Sequence, residues 1–87
     1  MVYIAMDMIL DEGRVYGARY YTVQPVLPET YHQVQRTWDD MIRWNVNTFG
    51  PAPRQGVFEP GGRWYANNAR FWFRNDQDRT LFLLKWS

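Results

Sequence analysis

"GRWYANNARFWFRNDQDRTLFLLKWS", residues 62–87, decides the fold. Arg, Trp, Tyr and Phe alternate tightly on either side of Asn67-Asn68, and alternation with a period of two is the mark of strands. Asparagine tolerates the positive φ that a two-residue hairpin turn needs. A turn at Asn67-Asn68 pairs Ala66 with Ala69, Tyr65 with Arg70, Trp64 with Phe71 and Arg63 with Trp72. Cross-strand partners share a face. One face then carries Trp64, Ala66, Ala69, Phe71 and Phe73, and reads as core. The other carries Arg63, Tyr65, Arg70, Trp72 and Arg74, a checkerboard of guanidinium and aromatic groups.

After the hairpin, Asn75 suits a helix N-cap, Asp76 and Asp78 fall in the first turn and Lys85 near the end. That polarity matches the helix dipole and favours a helix over a closing strand "TLFLLKW". Its expected apolar residues are Leu81, Phe82, Leu84 and Trp86. Upstream, "VYIAMDMIL" (residues 2–10) alternates as a strand, "DEG" (residues 11–13) reads as a turn, and "RVYGARYYTV" (residues 14–23) is a second strand, ended by Pro25 and Pro28. "PETYHQVQRTWDDMIRWNVNTFGP" is the clearest helix, with Pro28 and Glu29 at its start. Its stripe at helical spacing is Tyr31, Val34, Trp38, Met41, Ile42 and Asn45. Asn47 to Gly50 and the prolines at 51 and 53 stop it, and residues 51–62 read as a loop rich in Pro and Gly.

The order is ββαββα in one α+β domain over residues 1–87. Removing the first strand leaves βαββα, most of a ferredoxin-like unit, with that first strand free to fill the missing edge of an antiparallel sheet. Two helices on one face of such a sheet leave the other face to solvent or a partner.

The stretch "RWYANNARFWFRNDQDRTLFLLKW" also resembles the C-terminal ends of small, uncharacterised proteins encoded by tailed bacteriophages, which show an aromatic hairpin, an acidic step and a closing apolar-Trp segment. The resemblance covers residues 62–87 and implies a phage accessory protein without implying an activity. It carries over no functional residue.

Composition narrows the function. The chain of 87 residues is 46% hydrophobic and 18% aromatic, which fits a folded domain, and it holds no cysteine for a disulfide or thiolate metal site. Asp7 interrupts the opening apolar run, which has neither a basic leader nor the length of a membrane span; a soluble, cytoplasmic protein is expected. Net charge is +1, but residues 1–48 hold four Arg against six acidic residues, whereas residues 49–87 hold six basic against three. Nine of the ten basic residues are Arg, which stacks on rings and forms forked hydrogen bonds; biased base composition of the gene explains the same preference.

Catalytic chemistry is scarce. His32 is the only histidine and has no second ligand at helical spacing. Asp39 and Asp40 are adjacent on a helix, so they diverge and form no carboxylate pair. "PGGR" lacks the frame of a phosphate-binding loop. No catalytic residue, metal or cofactor is expected. The surface that remains is Arg63, Tyr65, Arg70, Trp72 and Arg74. Trp, Tyr and Arg dominate protein–protein hot spots, which makes a protein partner from host or phage the first expectation. Single-stranded nucleic acid on the same face is the alternative, since rings stack bases and cations hold phosphates. A structural, self-associating protein such as a homodimer is the third. A purely self-stacked surface accounts for the same residues as well.

Overall fold

The computed structural model describes residues 8–15, 17–26, 31–51, 62–67 and 69–86, with the side chains of residues 31–35 and Asn67 left outside that description. Along the chain run β1 (Met8–Val15), β2 (Ala18–Pro25), α1 (Tyr31–Phe49), β3 (Trp64–Asn67), β4 (Arg70–Phe73) and α2 (Asp76–Trp86). The expected ββαββα order is the observed one. The four strands form one antiparallel sheet in the order β1-β2-β4-β3. Strands β2 and β3 therefore run parallel with β4 between them, the split βαβ arrangement of a ferredoxin-like unit, and β1 occupies the outer edge beside β2.

The first turn lies elsewhere than the sequence suggests. Asp11, Glu12 and Gly13 are interior to β1, where they pair with Thr22, Tyr21 and Tyr20. The turn falls between the paired residues Val15 and Ala18, and Gly17 has φ +79°, a conformation that glycine adopts without penalty. Residues 2–7 of the expected first strand lie outside the described residues, as do Pro28, Glu29 and most of the 51–62 loop. Strand β2 does end at Pro25.

The second hairpin is displaced by one residue. The pairs are Asn67 with Arg70, Ala66 with Phe71, Tyr65 with Trp72 and Trp64 with Phe73, so the turn falls between Asn67 and Arg70. Moving the turn by one residue shifts each partner by two, and a shift of two preserves both faces. Trp64, Phe71 and Phe73 accordingly face the core, each at most 1% exposed. Ala69 takes φ +61° to make this turn.

Both helices cover the Phe71/Phe73 face. Helix α1 contributes Trp38, whose ring centroid lies 4.5 Å from that of Phe71, along with Met41, Ile42 and Phe49. The expected stripe holds at Trp38, Met41, Ile42 and Asn45; the side chains of Tyr31 and Val34 fall outside the description. Trp44, which the stripe omitted, packs edge-on against Phe49, Phe82 and Trp86 and joins the two helices. Gly50, at φ +92°, closes α1 by donating its N–H to the carbonyl of Val46 at 3.0 Å. Trp64 then donates its indole N–H to the Gly50 carbonyl at 2.9 Å, which fixes the end of α1 to β3.

Helix α2 begins where the carbonyl of Asn75 accepts from Asp78 and Arg79. Its buried residues are Asp78, Phe82 and Trp86, spaced four apart. A strand would bury every second residue, so this spacing is the physical content of the helix. Leu81 and Leu84, expected on the apolar side, are 47% and 76% exposed. Phe82 instead reaches Phe71 and Phe73, at centroid distances of 4.8 and 5.5 Å. Within this apolar core Asn45 is fully buried with neither amide atom hydrogen-bonded.

Candidate functional site

Alternation along β4 places Arg70 and Trp72 on the sheet face away from the helices, beside Tyr65 of β3 and Thr22 and Tyr20 of β2, and Arg74, just past the strand, reaches the Tyr20 ring. The five residues singled out in the sequence meet different fates there. Tyr65 is only 4% exposed, and neighbouring Tyr20 and Thr22 are 1% and 2% exposed. The Tyr20 and Tyr65 rings lie 5.4 Å apart at 56°. Tyr20 donates its hydroxyl to the Gly62 carbonyl at 2.7 Å. Burial, and then hydrogen bonding with Tyr65, pushes the Tyr20 phenol up to about 12, against a smaller opposing effect of Arg74. This is a stable, protonated phenol, not an activated one.

Arg74 is exposed but tethered: it donates to the Arg19 carbonyl at 3.0 Å and lies over the Tyr20 ring at 5.8 Å. Trp72 is half-buried, and its ring lies against Gly13 of β1. A Cβ at Gly13 would stand 2.8 Å from Trp72 Cζ3, so the missing side chain is what lets the indole approach the edge strand this closely. Arg70, two residues up the same strand, is half-exposed.

Arg63 leaves the face altogether. Because β3 starts at Trp64, strand alternation does not bind residue 63. Its guanidinium turns to the helix side, donating to both carboxylate oxygens of Asp78 at 2.8 and 3.2 Å and lying 5.2 Å over the Phe49 ring. The hydrogen bonds to Asp78 raise its pKa above the ordinary guanidinium value. Asp78 is the residue that sequence reasoning missed. It falls on the same helical stripe as Phe82 and Trp86, and a carboxylate on a buried stripe calls for a cation.

The structure thus leaves Arg70 and Trp72 on one face of β4, with Arg74 over the buried Tyr20 ring beyond them, and removes Arg63 to the fold. Among the described residues no group of His, Cys, Asp or Glu is placed to hold a metal ion, and no helix is long and apolar enough to cross a membrane. Asp40 lies 3.6 Å from Arg43 on its own helix, and the His32 side chain is outside the description. No protein-family model matches the chain, and no curated protein or solved structure matches it significantly.

Proposed function

We propose that this chain is a small non-enzymatic binding protein that engages a protein partner through the back of its sheet, with Trp72 as anchor and Arg70 and Arg74 beside it. The observation that carries the reading is the placement of Trp72: a large, half-buried residue whose ring packs against Gly13 and whose cross-strand partner is the buried Tyr65. A pre-positioned aromatic flanked by arginines is the composition of a binding hot spot, and its rigidity lowers the entropy lost on association. The burial of Tyr20 and Tyr65 weighs against the alternative of single-stranded nucleic acid, because base stacking needs several open rings in a row. A phage accessory role directed at a host or phage protein, in the host cytoplasm, is the setting that the C-terminal resemblance suggests for this activity.

The test is affinity capture from lysate, with and without nuclease, by the wild-type chain and by Arg70→Ala, Trp72→Ala and Arg36→Ala. A nuclease-resistant protein retained by wild type and Arg36→Ala and lost with the two β4 variants supports the reading. Nuclease-sensitive retention moves the function to nucleic acid. Loss only with Arg36→Ala places binding on α1, and concentration-dependent self-association abolished by Trp72→Ala makes the face a homodimer contact.

A further inference from the structure

The hairpin of β1 and β2 carries a charge arrangement that folding alone does not favour. Arg14 and Arg19 are direct cross-strand partners, and both are exposed. Like charges placed opposite one another on neighbouring strands destabilise the pairing. Among the described residues, compensation is slight. Arg19 Nε lies 3.9 Å from Glu12 Oε2 with both side chains more than half exposed, and Arg14 donates to the Gly17 carbonyl at a long 3.4 Å. Arg74 adds a third guanidinium at the Arg19 carbonyl. Strand β4 pairs with β2 only over Tyr21–Val23, so this end of the hairpin extends past the ladder.

We infer that the Arg14/Arg19 pair is a docking point for an acidic segment of a protein partner, its guanidinium forks receiving Asp or Glu carboxylates. Two forks side by side match carboxylates bidentately, and an incoming anion converts the cross-strand repulsion into attraction. A peptide fits better than a nucleic acid strand. An acidic segment can bring one or two carboxylates to the forks and keep the rest clear of Glu12, whereas a phosphate backbone carries a charge at every step past it. The inference shares with the proposed function only the class of partner; its residues are different.

The experiment titrates a short, capped oligoglutamate peptide into the isotopically labelled chain at low salt, following backbone amides by nuclear magnetic resonance. Oligoglutamine and oligothymidylate of the same length are run in parallel. The expected result is shifts at Arg14, Gly17 and Arg19 with oligoglutamate alone. Binding should weaken about tenfold in Arg14→Gln/Arg19→Gln, as loss of charge-assisted hydrogen bonds implies, and survive in Arg70→Ala. The double variant should fold with a melting temperature no lower than wild type, since it relieves the repulsion. Equal shifts with oligoglutamine, binding retained in the double variant, or tighter binding of oligothymidylate would each overturn the inference. Loss in Arg70→Ala alone would also overturn it, by moving the acidic contact to the β4 patch. Persistence of the hairpin contact when Arg70→Ala and Trp72→Ala capture partners normally would instead discard only the proposed function.

Discussion

Replacing Asp78 by Asn tests whether the Arg63 contact orients α2. The Asp78 side chain is 7% exposed and receives two N–H groups from Arg63, which is itself 52% exposed. Asn keeps the shape, accepts one N–H at most and turns its amide protons toward the other guanidinium nitrogen. A hydrogen bond to a charged group contributes about 1.5–3 kcal/mol; water reaching half-exposed Arg63 recovers part, so the lower end applies. Loss of a negative charge in the first turn of the helix adds about 0.5 kcal/mol. The sum is about 2 kcal/mol, or a fall of roughly 8–16 °C in melting temperature for a domain of this size. Calorimetry would measure it, with Asp76→Asn as control. Asp76 is 60% exposed, pairs only with Arg79 of its own helix, and its loss should cost under ~1 kcal/mol. Arg63→Ala should match or exceed Asp78→Asn, because it strands a buried carboxylate. If Asp78→Asn and Asp76→Asn melt together, the pair does not orient the helix and the explanation for exposed Leu81 and Leu84 fails.

Ala69→Gly should stabilise the domain by about 0.5–1 kcal/mol in urea titration, since glycine relieves the left-handed cost at φ +61° and loses part of the gain to chain entropy; destabilisation would contradict the turn. Trp64→Ala should cost about 3–5 kcal/mol by thermal melting and Trp72→Ala distinctly less, and equal losses would remove the distinction between the two faces. Asn45→Leu should raise the melting temperature, because it exchanges a buried amide without partners for an apolar side chain of similar shape; a loss beyond ~1 kcal/mol would show that the amide is needed. Tyr20 keeps its proton in the native state up to about 12 but releases it near 10 when unfolded, so its contribution is whole below pH ~10 and disappears as pH rises to ~12. That contribution is on the order of 2–3 kcal/mol, and Tyr20→Phe should flatten the alkaline fall in urea midpoint.

Much of this architecture is written locally. The faces of the second hairpin follow from alternation, and they survive the misplaced turn because parity is unchanged by a partner shift of two. The α2 helix follows from its charged ends. What failed locally failed for long-range reasons. Gly13 resembles a turn residue after Asp11 and Glu12, yet it is a strand residue whose missing Cβ admits the ring of Trp72 from a strand 59 positions away. Gly17, at φ +79°, was the better turn glycine, and its position four residues after Gly13 was the available signal. Leu81 and Leu84 looked like core by hydropathy. Asp78 fixes the rotation of the helix, and a helix that turns Asp78 toward Arg63 must carry Phe82 and Trp86 inward with it. The burial of Tyr65 was not legible either, because it depends on Tyr20 of β2 meeting it across the intervening β4.

These failures share a cause that bears on function. Aromatic and arginine side chains serve folding and binding equally well, so a pattern of them in sequence does not say which use each one has. The structure separates the uses by asking where each polar end finds its partner. Arg63 has a buried carboxylate and Tyr20 a carbonyl, so both belong to the fold. Arg14 and Arg19 face each other, with Glu12 3.9 Å from Arg19 as the one carboxylate partner among the described residues, an arrangement that lowers stability and needs another reason to exist. A binding surface is best sought where a side chain is held in place by the fold without being satisfied by it. By that criterion the hairpin arginines, and not the whole checkerboard, are where a partner should be looked for first.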